Sequence, residues 1–352
     1  MKVQLTGTAG AGGWPEPGCR CASCGGVQTA RRPFSVVIDD NVPLSGHELA
    51  RTPDGDSVVS PDGGRLLFAN GDRVNGEGGE PYDIVLIDLL ERPDHLGDLR
   101  RRGLVGEATQ IVAVGLDHRA PSEAELDRRL RFWGAITVPD GTILDTGPGA
   151  GPDTGLDTGL DTGLDTGAPL ARVRPRSLPR RTLLIGGSRS GKSAEAELRL
   201  AAEPEVTYVA TGSPGHDDPE WLARVKTHQA RRPAHWRTLE TTDLSELLTT
   251  ATGVLLIDGL GTWLAAVIDA HAAWPPATPE AVHAECDALL EAWRQTTAHV
   301  IAITDEVGQG IVPTPPAGRL FRDLLGALNQ HLTTASEESA LITAGRVLPL
   351  PL

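Results

Sequence analysis

The sequence predicts an α/β protein whose C-terminal half forms a mostly parallel β-sheet with helices on both faces. Short apolar segments rich in β-branched residues alternate with longer amphipathic segments, and a G-x-x-x-x-G-K-S motif joins the first such pair. Strands that are separated by helices run parallel, and a parallel sheet is covered on both faces. The chain has 352 residues, which is enough for two domains with separate cores.

The elements of the C-terminal half follow in a regular order. Strands are predicted where short apolar runs are bounded by turn residues, and helices where apolar residues recur at helical spacing. Cys286, on one of the helical patterns, is expected to fill a buried apolar position. The predicted strands are 182–187, 206–211, 253–260, 299–308 and a last one at 339–350, and the predicted helices are 191–202, 279–295 and 319–336.

A four-residue repeat separates the two halves of the chain. Residues 153–167 read DTGLDTGLDTGLDTG, with glycine and proline frequent on both sides. The repeat has no aromatic residue and no apolar periodicity that could form a core, so we predict a flexible linker over 146–180. A calcium-binding repeat roll is the alternative, but such rolls need longer repeats with more ligands in each turn. The domains are therefore predicted at 1–145 and 181–352.

The charge distribution argues against several classes of partner. The formal net charge of -15 divides into -7 for residues 1–145, 0 for 146–180 and -8 for 181–352. Acidic surfaces on both domains argue against nucleic acid or an anionic membrane as the main partner. No apolar run reaches the length of a membrane span, and the first residues do not resemble a signal peptide. We expect a cytoplasmic protein with reduced thiols.

The motif GGSRSGKS at 186–193 predicts a phosphate-binding loop. It lies directly after a predicted strand and opens a predicted helix, which is the structural context that the motif requires. Its backbone N–H groups would surround the β-phosphate, Lys192 would reach the β- and γ-phosphates, and the Ser193 hydroxyl would bind Mg²⁺. Asp258, at the end of a later strand, is placed to bind the metal directly or through an intervening ligand. This half is therefore predicted to bind a nucleoside triphosphate with Mg²⁺.

Further segments along the same half carry a family resemblance. They read YVATG at 208–212, RVKTHQARRPAHWRTLE at 224–240, LLIDGL followed by Trp263, DEVGQGIVP at 305–313 and GRLFRDLLGALNQ at 318–330. Together with the phosphate loop, and in this order and spacing, they resemble the bifunctional adenosylcobinamide kinase/adenosylcobinamide-phosphate guanylyltransferases of cobalamin biosynthesis. The resemblance implies a RecA-like P-loop fold for essentially the whole of residues 181–352.

The resemblance also implies two reactions. Adenosylcobinamide is phosphorylated with ATP or GTP, and GMP then passes from GTP to the product through a GMP–histidine intermediate. His228 matches the histidine of the family that carries GMP, and Arg231 and Arg232 would neutralise charge on the phosphoryl oxygens. An unperturbed imidazole has a pKa of about 6.5, so its nucleophilic neutral form dominates at neutral pH. His235 is the competing candidate, and a kinase without a covalent intermediate is the rival function.

The remaining site residues and partners follow from the same resemblance. The partners are a corrinoid small molecule, GTP and ATP, and a homo-oligomer is expected to form through the C-terminal domain. Lys192 and His228 are the catalytic candidates. Glu240 and Asp258 are implied contacts of the nucleotide, but they could equally be surface or capping acids. The implied nucleotide-binding residues are Gly186, Gly187, Ser188, Arg189, Ser190, Gly191, Lys192, Ser193, Thr211, Gly212, Ser213, Gln229, Ala230, Arg231, Arg232, Glu240 and Asp258.

Two features of the C-terminal domain stay open at the level of sequence. Asp305 stands where the family usually has asparagine, so the hydrogen bonds at this position cannot be carried over. The segment RLFRD at 319–323 either belongs to a core helix with a polar outer face or contributes to contacts with the corrinoid or a second subunit.

The N-terminal domain contains two segments with a second resemblance. KVQLTGTAGAGGWPEPGCRCASC, and YDIVLIDLLERPDHLGDL at 82–99, resemble the first strand and the metal loop of metallo-β-lactamase-like hydrolases. Asp94 and His95 match the last two residues of the H-x-H-x-D-H motif of that superfamily. Leu90 and Arg92 replace its first two histidines, and neither binds a dication. We therefore expect a truncated, degenerate and inactive α/β domain. The alternative is a metal-dependent hydrolase with a regulatory P-loop domain.

Three cysteines near the N-terminus form a separate candidate metal site. Cys19, Cys21 and Cys24 make a C-x-C-x-x-C pattern that places three thiolates within reach of one Zn²⁺. A closed tetrahedral site needs a fourth ligand, and a vestigial loop without metal is the alternative. The candidates for the fourth ligand are His47, His95 and His118.

Overall fold

The chain divides into two compact units. The first comprises Met1–Ser177 with Ala201–Pro204, and the second comprises Leu178–Leu200 with Glu205–Leu352. Ala201–Pro204, which the sequence assigned to the second domain, thus groups with the first unit. The computed structural model describes residues 1–39, 42–43, 49–71, 76–146, 179–212 and 232–351, so all but the ends of the predicted linker lie outside them.

The described residues of the first unit form two β-sheets around one core. The strands are β1 (Lys2–Gly7), β2 (Ser35–Ile38), β3 (Val42–Pro43), β4 (Ala50–Thr52), β5 (Gly55–Val59), β6 (Arg65–Ala69), β7 (Ile84–Ile87), β8 (Gln110–Ala113) and β9 (Thr142–Asp145). One sheet is antiparallel with the order β3-β2-β1-β9, and the other is mixed with the order β4-β5-β6-β7-β8. Val3 and Leu5 of the first sheet pack in one apolar cluster with Leu66, Ile84 and Leu86 of the second.

Three helices of the first unit are described: α1 (Ala22–Gly26), α2 (Pro93–Arg101) and α3 (Glu123–Trp133). α3 shows why a sequence of this kind forms a helix. The Ser122 side chain accepts a hydrogen bond from Glu125 N at the start, and Gly134 closes the helix in the left-handed conformation. The segment with the degenerate H-x-H-x-D-H pattern becomes the turn after β7 and the first turns of α2.

The second unit is built around one seven-stranded sheet. The order is β12-β11-β13-β14-β10-β15-β16, and every neighbouring pair is parallel except β15 and β16. This confirms the predicted α/β class. Its elements are β10 (Arg181–Gly186), α4 (Lys192–Leu200), β11 (Thr207–Ala210), β12 (Arg237–Glu240), α5 (Leu244–Thr250), β13 (Val254–Asp258), α6 (Leu260–Ala270), α7 (Glu280–Gln295), β14 (His299–Asp305), α8 (Pro316–Thr334), β15 (Glu338–Thr343) and β16 (Arg346–Leu350).

Both faces of this sheet are buried, as the apolar strands required. Leu183 and Ile185 of β10 pack in one cluster with helices α5 to α8, whereas Leu184 packs on the opposite face with Ala196 and Leu200 of α4. Successive side chains of a strand point to opposite faces, so a continuous apolar run fills both cores.

The last predicted strand, 339–350, is wrong in one respect. β15 and β16 are two strands of an antiparallel hairpin, with Ala344 and Gly345 at positive φ between them. The turn lies inside a largely apolar run, which made the two strands look like one.

Candidate nucleotide site

The predicted nucleotide-binding residues of the described chain meet at the carboxyl edge of the parallel sheet. The parallel registers pair Gly186 with Asp305, Asp258 with Ala210, and Ala210 with Glu240. Parallel strands end at the same edge, where the following loops form the binding crevice of an open α/β sheet. Because these five strands, β10 to β14, end here together, residues that are far apart in sequence become neighbours.

The phosphate loop has the backbone of an anion-binding turn. A Cβ on Gly186 would lie 2.6 Å from Ile342 O and 2.5 Å from Ser190 Oγ, so glycine is required there. Gly191 has a φ of 101°, which other residues rarely adopt. α4 begins at Lys192, so the N–H groups and the positive dipole end of its first turn belong to the loop.

Two polar groups of the loop point to a ligand. The Ser190 hydroxyl is buried and has no hydrogen-bond partner among the described residues. Lys192 Nζ donates to Gly187 O at 3.1 Å and forms an ion pair with Asp305 Oδ1 at 2.8 Å. The lysine is therefore folded back over its own loop, where a phosphate would bind, and is not extended into solvent.

Asp258 is fixed by a tyrosine that the sequence analysis did not single out. Tyr208 donates its hydroxyl proton to Asp258 Oδ2 at 2.7 Å, and the Arg232 guanidinium lies 3.5 Å from the centroid of the same ring. Burial and the neighbouring Asp258 charge raise the pKa of Tyr208 far above its usual value, so the phenol remains a donor. One side chain thus contacts both a candidate metal ligand and a candidate phosphate-binding arginine.

The side chain of Thr211, an implied nucleotide contact, is occupied by contacts within the protein. The side chain is fully buried, and its hydroxyl makes hydrogen bonds with Gly259 O at 2.7 Å, Gly259 N at 3.2 Å and Thr262 Oγ1 at 2.8 Å. A hydroxyl has one donor and two acceptor sites, so these contacts fill its capacity. Contact of Thr211 with a nucleotide would therefore use the backbone, and the side chain ties β11 to the start of α6.

The helix α8 is a core helix whose arginines bind the preceding loop. Its buried residues include Leu325 and Asn329, and Asn329 accepts from Thr304 Oγ1 at 2.7 Å and donates to Asp305 O at 3.0 Å. Arg319 donates to Pro313 O at 3.2 Å, and Arg322 donates to Gly308 O. The polar face therefore supports the 305–313 segment, while a corrinoid or subunit contact stays a prediction.

The remaining site residues are only partly described. Glu240 is exposed at the end of the edge strand β12. Tyr208 was quoted within YVATG, and its aromatic ring beside a strand end was the signal that could have identified it. The candidates that lie outside the described residues are Ser213, His228, Gln229, Ala230 and Arg231.

Comparison with known proteins matches this unit to one family. The family model for cobinamide kinase/cobinamide phosphate guanyltransferase matches residues 182–350. The bifunctional adenosylcobalamin biosynthesis protein CobU of Salmonella typhimurium is 36% identical over 174 residues, which is 46% of this chain and 95% of that protein. The chain belongs to this family. CobP of Pseudomonas aeruginosa, also named a bifunctional adenosylcobalamin biosynthesis protein, is 39% identical over 49% of this chain and 96% of its own length.

Two solved structures resemble the chain of this cobinamide kinase family member more distantly. A prototypical ATPase from a bacterial type III secretion system has 14% identity and a TM-score of 0.33, over 47% of this chain and 51% of that one. The assembled ATPase EscN from enteropathogenic E. coli has 14% identity and a TM-score of 0.31, over 47% of this chain and 43% of its own. Both TM-scores are low, and the family assignment does not depend on them.

In the first unit of this family member, three cysteines and one histidine converge. The ligand atoms of Cys19, Cys21, Cys24 and His118 all lie within 4.8 Å of one another, with His118 Nδ1 at 3.7 Å from Cys19 Sγ and 3.8 Å from Cys24 Sγ. All of these cysteines are free thiols. Of the three histidine candidates, His118 is thus the one beside the thiols, while His47 lies outside the described residues.

His95 lies in a buried charged cluster elsewhere in this unit. Its Nε2 is 3.7 Å from Asp54 Oδ1, and Asp54 forms a two-pronged ion pair with Arg102, which also contacts Asp98 Oδ2 at 2.8 Å. Arg92 donates to Gly71 O at 3.2 Å. In the segment with the degenerate H-x-H-x-D-H pattern, His95 and Arg92 thus lie in contacts within the protein. The resemblance of this unit to metallo-β-lactamase-like hydrolases stays a prediction.

Among the described residues, no helix combines the length and the apolar character that a membrane crossing requires.

Proposed function

We propose that the second unit phosphorylates adenosylcobinamide with ATP or GTP and then transfers GMP from GTP to the adenosylcobinamide phosphate that it has made. The observation that carries the proposal is the family match at 182–350, which coincides with the unit that contains the phosphate loop. Both reactions break a bond in a nucleoside triphosphate, so one nucleotide site at the carboxyl edge of the sheet can serve both.

The kinase step depends on positioning and charge. The loop N–H groups and Lys192 would bind the β- and γ-phosphates while a hydroxyl oxygen of the corrinoid attacks the γ-phosphorus. The new O–P bond forms as the bond from the γ-phosphorus to its bridging oxygen breaks, and the hydroxyl proton passes to solvent. No covalent carrier is needed for this step.

The donor set of this edge fits Mg²⁺. The Ser193 hydroxyl and the Asp258 carboxylate supply the oxygen ligands that this ion prefers. Bound there with the nucleotide, the ion would neutralise charge on the phosphate oxygens. The hydrogen bond from Tyr208 sets the orientation of the Asp258 carboxylate, and the buried hydroxyl of Ser190 adds a polar group to the same loop.

GMP transfer needs a nucleophile, and His228 is the proposed one. A ring nitrogen of the neutral imidazole would attack the α-phosphorus of GTP, forming an N–P bond as the bond to pyrophosphate breaks. A phosphate oxygen of the corrinoid would then attack the same phosphorus and release the histidine. The contact of Arg232 with Tyr208 supports this proposal, because it brings a residue four positions after His228 to the edge where Asp258 lies.

Intact-mass spectrometry after incubation with GTP and Mg²⁺ alone tests the proposed function. We expect the protein to gain the mass of one GMP and to lose it when adenosylcobinamide phosphate is added. A protein that phosphorylates adenosylcobinamide but never gains GMP would support the rival kinase without a covalent intermediate. A protein that does neither would contradict the proposed function.

A structural zinc site is the second part of the proposal. The ligands of a tetrahedral zinc with sulfur and nitrogen donors lie about 3.5–3.8 Å apart, and the measured separations of His118 Nδ1 from two of the sulfurs agree with this range. Glu16 N donates to Cys24 Sγ at 3.5 Å and Cys24 N donates to Cys21 Sγ at 3.4 Å. Backbone donors of this kind orient metal thiolates. Four protein ligands close the coordination sphere, so the metal would stabilise the loop and catalyse no reaction.

The organisation of the whole chain is also a proposal. We propose domains at 1–145 and 181–352 with a linker at 146–180, a homo-oligomer formed through the second domain, and a cytoplasmic location where ATP and GTP are supplied. Because the matched family segments all lie C-terminal to the linker, the first domain would not be needed for either transfer.

A further inference from the structure

The ion pair between Lys192 and Asp305 links the phosphate loop to a different strand. Asp305 is the last residue of β14 and the register partner of Gly186, where the loop begins. Lys192 Nζ lies 2.8 Å from Asp305 Oδ1 and 3.1 Å from Gly187 O. An ammonium has three N–H donors. These two acceptors therefore fix its direction and leave one donor for a phosphate oxygen.

Asp305 sits on a scaffold that holds its backbone in place. The buried Asn329 donates to Asp305 O at 3.0 Å and accepts from Thr304 Oγ1 at 2.7 Å. On the other side, a Cβ on Gly261 would lie only 2.7 Å from Asp305 Oδ2, so glycine in the first turn of α6 leaves room for the carboxylate. The dipole of that helix favours a negative charge near its start. Asp305 is thus held among three helices: α8 bonds its backbone, while its carboxylate lies beside Lys192 of α4 and Gly261 of α6.

We propose that Asp305 is a positioning residue for Lys192: its carboxylate oxygen aims the ammonium across the phosphate loop, and its charge lowers the affinity of the loop for the nucleotide. The inference rests on the proposed function, because it assumes that the loop binds GTP. Two opposing effects follow. The acceptor oxygen orders the lysine, whereas the negative charge cancels part of the positive field that a triphosphate meets and repels the phosphate oxygens directly.

The exposure of the pair sets the size of the charge effect. The Asp305 side chain is 44% exposed and that of Lys192 is 14% exposed, so solvent screens the carboxylate appreciably. With that screening, removal of one negative charge a few ångströms from a phosphate should tighten binding by about three- to tenfold at low salt. The gain should shrink as the salt concentration rises.

Two substitutions separate the acceptor from the charge. Asp305→Asn keeps an oxygen that accepts from Lys192 but removes the charge, whereas Asp305→Ala removes both. Asp287→Asn on the exposed surface of α7 makes the same change in net charge away from these contacts and is the matched control. Binding is measured by calorimetric titration of GTP into the full chain without Mg²⁺, and both transfer reactions are then measured with Mg²⁺.

We expect Asp305→Asn to bind GTP about three- to tenfold more tightly than the wild type, with a lower KM and a smaller loss of kcat than Asp305→Ala. Asp287→Asn should match the wild type throughout. Equal GTP affinity in Asp305→Asn and Asp287→Asn, or an equal loss of kcat in both Asp305 variants, would overturn the inference alone. A wild-type protein that does not bind GTP, or whose binding survives Lys192→Ala, would overturn the inference together with the proposed phosphate loop.

Discussion

The hydroxyl of Tyr208 donates to Asp258 Oδ2 at 2.7 Å, across the parallel pair of strands β11 and β13. The same ring faces the Arg232 guanidinium at 3.5 Å. This relationship joins the carboxylate proposed to bind Mg²⁺ to an arginine proposed to bind phosphate. It therefore makes Tyr208 testable as a positioning residue for both.

Tyr208→Phe should weaken Mg²⁺ use while keeping the ring beneath Arg232. A hydrogen bond to a charged group contributes about 1.5–3 kcal/mol, so we expect the half-saturating Mg²⁺ concentration for both reactions to rise about tenfold. Tyr208→Leu removes the ring as well and should reduce GMP transfer further. The chain has one other tyrosine, Tyr82 in the first unit, and Tyr82→Phe is the matched control that should leave the Mg²⁺ titration unchanged. Identical Mg²⁺ curves for the two Phe variants would contradict this role.

The sequence predicts the phosphate loop but not the two side-chain contacts beside it, because the loop is local and the contacts are not. The phosphate loop is encoded in eight consecutive residues, because a tight glycine turn between a strand and a helix leaves a local signature. Tyr208–Asp258 and Lys192–Asp305 join residues that are 50 and 113 positions apart. Such contacts depend on the order of the strands in the sheet. The sequence predicted a parallel sheet with helices on both faces, but it did not predict that order.

The missed elements of the fold have similar reasons. β12 (Arg237–Glu240) is exposed along its whole length and has no apolar alternation, because it is an edge strand. α6 (Leu260–Ala270) follows β13 after a single residue, so its leucines continue the apolar run of the strand. A fully buried run of this length does not distinguish a strand from a helix by periodicity.

Lys192→Ala should impair both transfer reactions, because the proposed mechanism uses one phosphate loop twice. Loss of a single positive group aimed at a developing charge costs about 10²- to 10³-fold in kcat, and we expect losses of this size in both steps. The chain contains only three lysines, and Lys2→Ala at the exposed start of β1 is a matched control. Guanylylation at the wild-type rate in Lys192→Ala would require a second nucleotide site.

Loss of one cysteine ligand should remove the proposed zinc. Cys24→Ala deletes the buried member of the cluster, and we expect elemental analysis of the purified full chain to fall from about one zinc per chain to near zero. Cys286→Ala is the matched control, since this cysteine lies among apolar residues of the other unit. Equal zinc content in wild type and Cys24→Ala would show that the cluster does not bind the metal.

The buried Asp54–Arg102 pair should make the first unit sensitive to acid. Burial opposes ionisation of Asp54, but the neighbouring His95 and Arg102 outweigh it and lower the pKa of the carboxyl. Such a group stabilises the fold fully above its unfolded pKa of about 3.9 and loses this contribution as the pH falls through the lower folded value. Asp54→Asn should therefore destabilise the unit at pH 7 by about 3 kcal/mol, since it breaks a buried pair.

Calorimetry of the full chain between pH 7 and pH 3 measures this effect. Glu80→Gln is the control, because Glu80 is exposed and pairs with Arg65 at the surface, where such pairs contribute about 0–1 kcal/mol. The difference between wild type and Asp54→Asn should decrease as the pH falls below about 4. A difference that stays constant over this range would mean that the charge of Asp54 is not what stabilises the unit.

His228→Ala should abolish GMP transfer and leave phosphorylation of adenosylcobinamide largely intact. Phosphoryl transfer to a hydroxyl needs positioning, charge neutralisation and a metal, which the proposed mechanism assigns to the edge that carries Lys192 and Asp258. GMP transfer by two displacements needs in addition a group that accepts GMP and releases it, and a neutral imidazole can do so at neutral pH. The wild-type adduct should be labile in acid and stable in alkali, as an N–P bond is. His235→Ala, seven positions along the same segment, is the matched control and should retain both the adduct and the activity. If His228→Ala still gained GMP, or if it lost both activities while folded, the carrier would have to be another residue, and His228 would belong only to a basic surface loop.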